Sequence, residues 1–506
     1  MALSKIQLDR KSRLPLYRQI KDQIREMILE DVMPEGGRLL PTRELAKKLD
    51  VNRSTIVTAY NELIAEGLIN SHVGRGTVVS RKNSDKEHPY EHQPLNWSEF
   101  FVAAPKVETL SFYEAFVQPF TQEEFISLGI AIPDPEYSPF LDLKNALDKV
   151  LDEKRKLIFQ PLSSEGYYPF RETLAEWTSP EGRPFSPEEV LITSGAVQAV
   201  YLVSKSLLSP GDIVVVENPT STNGLMSFRA FQAKIVDIPV DDQGMRVDIL
   251  ENLLARQKVK LIYTIPTFQN PSGSVLSLER RHKLLDLAQK YRVPIIEEDP
   301  YSRLYYDRIP PPPLKALDRH DSVIYVGTFS KILFQGLRVG WVVAARPIIK
   351  QLGAIKYLID LSTSSLEQYA LDEFIRQGLL ENHLQIMRKV YARKRDLMVS
   401  ALSKHCPDVF KWNTPSGGIC LWCRLNGGLI AMDLLREAIY EKVIFITGKT
   451  FAPQGNHDEW LRLNFTYLSE GQIEEGIRRL SKAVQRLKKR HGEKAGKASL
   501  SLKPLF

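Results

Sequence analysis

Cysteine is scarce in this chain: three residues in 506, at positions 406, 420 and 423. That is too few for a disulfide framework and suits a reducing compartment. Cys420 and Cys423 form a CLWC, but it lies inside GGICLWCRL, an alternating apolar strand pattern with no second ligand pair nearby. These thiols are therefore expected in a core, and no metal site is expected. Long apolar runs are also missing. Nothing approaches the ~18 residues needed to span a bilayer, and the opening MALSKIQLDRKSRLPLY has no apolar signal core. A cytoplasmic protein without a membrane partner is expected. With 43% apolar and 25% charged residues, the composition is that of a folded protein. The length calls for two or three domains.

An excess of positive charge is absent from the middle. Residues 1–82 carry 15 Lys+Arg against 10 Asp+Glu, and residues 482–506 carry 8 against 1. The net charge of +7 therefore sits at the two ends, and the long centre is mildly acidic. A basic head on an acidic body points to a polyanion partner for the head. The end, 486–506, reads as a basic, disordered tail.

Residues 15–33 place Leu16, Ile20, Ile24, Met27 and Ile28 at helical spacing. A second short helix is expected from Thr42 to Leu49, beginning at Pro41 or Thr42. After the tight connection Asp50–Arg53, Ser54 is expected to cap a third helix with Ile56, Tyr60, Leu63 and Ile64 on one stripe, ending at Gly67. Two short strand-like pieces, Leu68–Asn70 and Thr77–Val79, flank a Gly-Arg-Gly tip. A helix, a helix-turn-helix and a two-stranded wing suit DNA. Recognition helices set their N-terminal end in the major groove, here Arg53, Ser54, Thr55 and Thr58. Arg43 opens the preceding helix, where phosphate or base contacts are usual. Arg75 and Gly76 form a wing tip slim enough for a minor groove. LPLYRQIKDQI, PTRELAKKL, VNRSTIVTAYNELIAEGLI and GRGTVV resemble the winged-helix domain of GntR-type bacterial regulators over 12–80. The resemblance departs at Leu40-Pro41-Thr42, where that family more often has two small residues between the proline and the arginine.

Residues 81–120 begin with a polar, Pro-containing linker and continue as an aromatic-rich stretch that could form an arm. From 121 to 485, β-branched runs alternate with helical patterns: Val190–Thr193, Ile213–Val216, Lys234–Ile238, Lys260–Thr264, Val293–Glu297, Val323–Val326 and Val339–Val343. This implies βαβ units, an α/β fold and a mostly parallel sheet. Ligands of such sheets lie beyond the carboxyl ends of the strands. The residues there are Ser194, Gly195 and Ala196 opening a helix; Asn270 in IPTFQNPSG; Asp299 and Tyr301 in EEDPY; and Thr328, Ser330, Lys331 and Arg338 in TFSKILFQGLRVGW. Helix-opening amides bind phosphate. A lysine among hydroxyls and cations is fitted to form a Schiff base with an aldehyde cofactor.

In this order these residues resemble fold-type I aminotransferases, with a mostly parallel large domain and a small C-terminal α/β subdomain. The resemblance implies pyridoxal phosphate (PLP). Lys331 would carry the Schiff base, Asp299 would hold the pyridine nitrogen protonated, and Asn270 and Tyr301 would bond the ring hydroxyl. Thr328, Ser330, Arg338 and the Ser194–Ala196 amides would hold the phosphate, and Arg462 in WLRLNF would hold a substrate or effector carboxylate. Two positions depart from the pattern. Phe159 stands where a phosphate-binding tyrosine is usual, and Ser221 stands where related regulators carry a tyrosine.

A winged helix followed by an aminotransferase-like domain resembles the MocR-type branch of GntR regulators across nearly the whole chain. It implies a homodimer with swapped heads that binds a double-stranded operator and associates with the nucleoid when bound. The signal would be an amino compound, or the cofactor itself, sensed through the lysine linkage. A working aminotransferase with an accessory DNA-binding head stays open as an alternative, since Lys331, Asp299 and Arg462 permit half-reactions.

Overall fold

A computed structural model describes residues 6–10, 12, 14–72, 76–80, 95–97, 100, 124–179, 184–454 and 457–500. Its contacts divide the chain into two units, Met1–Val102 and Ala103–Phe506.

The first unit contains α1 (Leu16–Leu29), α2 (Thr42–Lys48), α3 (Arg53–Ala65), β1 (Ile69–His72) and β2 (Gly76–Val79). Ile20 and Ile24, one turn apart on α1, meet Leu45 of α2 and Ile56 and Leu63 of α3 in a closed apolar core. Asn52 caps α3, not Ser54: its side chain accepts the Ser54 amide at 3.1 Å. Asparagine is as good a cap as serine and stands one residue before the first helical position. Gly67 leaves the helix at φ +72, a left-handed turn that favours glycine. β1 and β2 pair antiparallel from Ile69↔Val79 to His72↔Gly76. Arg75 lies outside the described residues, as do 81–94 and 101–120 of the expected linker and arm.

The second unit begins with β3 (Ile126–Ser127). Its main sheet has eight strands: β4 (Val190–Thr193), β5 (Ile213–Asn218), β6 (Lys234–Asp241), β7 (Gly244–Met245), β8 (Val259–Thr264), β9 (Ile295–Asp299), β10 (Val323–Thr328) and β11 (Gly340–Val343). Their spatial order is β4-β11-β10-β9-β8-β5-β6-β7. The central pairs β10/β9, β9/β8, β8/β5 and β5/β6 are parallel, and β11 and β7 run antiparallel to their neighbours. Alternate residues feed opposite faces. Leu191, Val214, Tyr263, Ile296 and Val326 enter the core under the helix α4 (Ala196–Leu207). Ile192 and Tyr325 enter a second core, and Val215, Ile262 and Ile295 a third.

The smaller sheet joins β12 (Phe410–Trp412), β13 (Cys420–Leu425), β15 (Ile446–Thr447) and β16 (Trp460–Asn464), while β14 (Val443–Ile444) pairs with β3. All three cysteines are free and buried. The closing helix, α5 (Glu470–Leu500), carries helical backbone into the expected basic tail, whose last residues, 501–506, lie outside the described residues. Ile473, Ile477, Leu480, Val484 and Leu487 bury one stripe of it. Beyond Leu487 the backbone stays helical to Leu500, extended from the nucleated stripe through Lys, Arg, Glu and Ala despite Gly492 and Gly496.

Candidate functional site

On the first unit, Arg43 is exposed in the opening turn of α2, and Arg53, Ser54 and Thr58 are exposed at the start of α3. Thr55 is half-buried. Thr58 Oγ1 donates back to the Ser54 carbonyl at 3.0 Å, so its methyl and hydroxyl are held in one orientation. The Tyr60 hydroxyl donates to the Leu40 carbonyl at 2.8 Å and fastens α3 to the chain leading into α2. Gly76 opens β2 at φ +84 and is exposed.

On the second unit, the strand ends converge as the sheet topology requires. Ser194 and Gly195 link β4 to α4; the Ser194 amide donates to Gln198 Oε1 at 2.7 Å, and the amides that open the helix after it lack backbone acceptors within it. Arg338, in a left-handed conformation at φ +50, reaches across so that its Nη2 donates to the Ser194 carbonyl at 3.0 Å. Gly195 has φ +87, and a Cβ there would stand 3.0 Å from Arg338 Nη2. The glycine therefore keeps open a cradle between helix amides and a guanidinium. Thr328 and Ser330 lie together just before the lysine, with Thr328 Oγ1 3.1 Å from Ser330 Oγ. Amides, hydroxyls and a guanidinium are the donor set that a phosphate needs.

Lys331 is half-buried, and its Nζ donates to the Ala131 carbonyl at 2.6 Å. Burial, followed by the Arg462 and Arg338 charges, lowers its pKa to about 8, while Glu298 pulls the other way. Arg462, on β16, is buried. Its Nη1 donates to Asn270 Oδ1 at 3.0 Å and its Nη2 to the Gly129 carbonyl at 2.9 Å, and its guanidinium lies 4.9 Å from the Phe451 ring centre. Its Nε has no hydrogen-bond partner among the described residues. Tyr301 is buried, and its hydroxyl feels Cys420, Arg462 and Glu298. Lys331, Asn270, Tyr301, Arg462 and the phosphate cradle are thus brought together.

Asp299 is not. Its Oδ1 accepts the Ser302 amide at 3.0 Å and its Oδ2 the Tyr325 hydroxyl at 3.1 Å. This is the opposite sheet face from Glu298, the carboxylate whose charge is felt at Lys331. The reason is strand parity: residues 298 and 299 are neighbours, and only one can face the lysine side. Sequence reasoning also missed Tyr263, Phe451 and the carbonyls of Gly129 and Ala131. The EEDPY run held the one available signal, a second carboxylate beside the first. Phe159 is exposed at the surface, and Ser221 is buried.

An open cradle beside α4, a lysine of lowered pKa and a buried arginine with an unpartnered Nε fit PLP bound with a carboxylate-bearing amine. Fold and site together define an aminotransferase-like unit carried behind a winged helix. Comparison with known proteins agrees. Residues 124–480 match the aminotransferase class I and II family, and residues 16–79 match the gntR family of bacterial regulatory proteins. The chain is 31% identical over 487 residues to the uncharacterized HTH-type transcriptional regulator YisV of Bacillus subtilis, covering 96% of this chain and 99% of that protein. It is 38% identical to aromatic-amino-acid aminotransferase 1 of Thermococcus litoralis over 72% of this chain and 88% of the enzyme. Among solved structures, the Pyrococcus horikoshii kynurenine aminotransferase in complex with PMP superposes with a TM-score of 0.72 at 35% identity, over 77% of this chain and 98% of that one. The chain belongs to the aminotransferase class I and II family, joined to a gntR-family DNA-binding region in the MocR-type arrangement of HTH-type transcriptional regulators. The family and these structures imply PLP as cofactor. No helix among the described residues is long and apolar enough to cross a membrane.

Proposed function

We propose that the chain is a DNA-binding transcriptional regulator that senses an amino compound through its PLP-loaded second unit. The observation that carries this reading is the state of Arg462: a buried guanidinium whose Nε–H has no acceptor among the described residues, close enough to Lys331 to lower its pKa. Such a group is costly until an acceptor arrives. A carboxylate takes two parallel guanidinium N–H groups at once. The ligand class this supports carries both an amine and a carboxylate. PLP, when bound, supplies an aldehyde carbon with which an amine condenses, releasing water. In this reading Lys331 holds the cofactor. Ser194, Gly195, Ala196, Thr328, Ser330 and Arg338 hold its phosphate, Asn270 and Tyr301 face its ring hydroxyl, and Arg462 receives the carboxylate.

The segment Leu128–Asp134 offers a route out of the site. Arg462 holds the Gly129 carbonyl and Lys331 the Ala131 carbonyl. Thr466 Oγ1 holds the Ile132 carbonyl at 2.8 Å, and Lys394 Nζ holds Asp134 at 2.6 Å. A ligand carboxylate at Arg462 competes with the Gly129 carbonyl. It therefore changes the grip on the stretch by which the chain enters this unit from the DNA-binding region. Exposed apolar side chains at Tyr357, Leu358, Ile359 and Leu361 support a homodimer, and exchanged heads follow by analogy. On the first unit, Arg53, Ser54, Thr55 and Thr58 would read bases, and Arg43, Arg75 and Gly76 would flank them, on a double-stranded operator in the cytoplasm. The test pairs two measurements on the loaded full chain: DNA binding to its own upstream region with and without candidate amino acids, and steady-state turnover with an amino donor and a 2-oxo acid. Ligand-dependent DNA binding is expected. Rapid turnover without sequence-specific DNA binding would sink the proposal in favour of an aminotransferase.

A further inference from the structure

We infer that Glu298, rather than Asp299, is the carboxylate this chain presents to the ring nitrogen of PLP, and that Tyr263 positions it. The inference rests on the cofactor reading above and concerns which of two adjacent acids does the work.

β9 is extended through Asp299, so Glu298 and Asp299 face opposite sides of the sheet. Glu298 shares its face with Ile296, Tyr263 and Val326, the core over which α4 packs. The N-terminus of α4 forms the phosphate cradle, so a cofactor anchored there meets this face. The Tyr263 hydroxyl donates to Glu298 Oε2. Glu298 Oε1 accepts no hydrogen bond from the described residues and is not sealed from solvent. One oxygen is therefore fixed and the other is left open. Glu298 also bears on both groups that the reading sets around the ring, Lys331 and Tyr301.

Asp299 has no oxygen to spare. Both of its oxygens accept bonds, one capping the turn that follows β9 and one tying that turn to β10. This is the arrangement of a structural acid.

Tyr263 is held to its task by its surroundings. A Cβ at Gly224 would stand 2.6 Å from its Cζ, so glycine there leaves room for the ring. Phe228 meets the ring edge-on at 5.4 Å between centroids. A buried phenol held this way, bonded to a single carboxylate oxygen, sets the direction of the other. Glutamate also reaches one methylene farther than aspartate, so its open oxygen needs such a brace more.

The test compares PLP with its 1-carba analogue, which has C–H in place of the ring nitrogen, titrated into the full-length apoprotein. Affinity is read from the absorbance of the lysine-linked chromophore. The wild type should bind the analogue roughly ten- to hundredfold more weakly, the span of one charge-assisted hydrogen bond. In Glu298→Gln that discrimination should collapse to within about threefold, because PLP loses affinity and the analogue does not. Asp299→Asn should keep the discrimination. Glu298→Asp should recover part of it and serves if the glutamine variant folds poorly. Tyr263→Phe keeps the ring but removes the brace, and it should shrink the discrimination without altering analogue affinity, a pattern that loss of packing alone would not give. Discrimination that survives Glu298→Gln and disappears in Asp299→Asn would overturn the inference. If the wild type loads neither compound, the cofactor reading falls and takes the inference with it.

Discussion

The lowered pKa of Lys331 makes a prediction with a definite shape. An amine attacks an aldehyde only when neutral. Burial first, then the charges of Arg462 and Arg338, bring Lys331 from an ordinary 10.5 to about 8. At pH 7 about one Lys331 in ten is then neutral, against roughly one in three thousand for an unperturbed lysine. The rate at which apoprotein captures PLP, followed by its yellow absorbance, should therefore rise about tenfold per pH unit up to pH 8 and flatten above it. Replacing the second-largest cause, as in Arg462→Met, should move the bend to higher pH. The sign for stability runs the same way. The folded pKa lies below the unfolded one, so the cost of holding the ammonium is fully present below pH 8 and fades as pH rises toward 10.5. That cost is on the order of 3 kcal/mol. The stability gap between wild-type apoprotein and Lys331→Met should narrow across the same window. A capture rate that climbs without a bend through pH 10 would refute the argument. So would yellow absorbance that persists in Lys331→Ala.

Arg53→Ala should weaken binding to the upstream DNA about tenfold or more and leave the cofactor absorbance unchanged, as checked by fluorescence anisotropy beside a spectrum. Unchanged DNA affinity would remove Arg53 from the interface. Gly195→Ala forces a side chain onto a backbone at φ +87 and against Arg338, so it should cost ~1–3 kcal/mol of stability and weaken PLP binding more than it weakens pyridoxal, which lacks the phosphate. Equal loss for both compounds would show that the cradle does not serve the phosphate.

Periodicity carried most of the fold into view. Strands such as β4 are short β-branched and apolar runs between turn signals, Val190-Leu191-Ile192-Thr193 here, and the stripe of Ile20 and Ile24 marks α1 without help from any other segment. What escaped were features decided by pairing across distance. Asp299 looked right because it precedes Pro300 and Tyr301, but which strand face it occupies depends on register with β8 and β10, which one run of residues does not encode. The carbonyls of Gly129 and Ala131 have no side-chain signature at all, and Phe451 is recruited from a single 3-10 turn, Gly448–Phe451, far along the chain. The helix that runs into the tail is a different case. The charge there suggested solvation, whereas the helix is nucleated by the apolar stripe upstream and merely extended through the basic residues.

The contacts at Arg462 also bound how strong a signal the site can send. A ligand moves a conformational equilibrium only by its differential affinity for the two states. In the described arrangement Arg462 spends Nη2 on the Gly129 carbonyl and leaves Nε unpaired. Nε–H and the neighbouring Nη2–H point the same way, the fork that a carboxylate accepts side by side. Binding there exchanges one bond to a neutral carbonyl for two to a charged group. The net gain is about 1.5–3 kcal/mol, enough to shift the hold on Leu128–Asp134 by roughly ten- to hundredfold. An amine without a carboxylate reaches the cofactor but leaves that exchange unmade. The regulator should therefore tell amino acids from simple amines by the state of this one segment. Methylamine should change the cofactor spectrum while leaving DNA affinity where it was, and an amino acid effector should change both. Equal effects of the two on DNA binding would mean that the signal leaves the site by another path than Gly129.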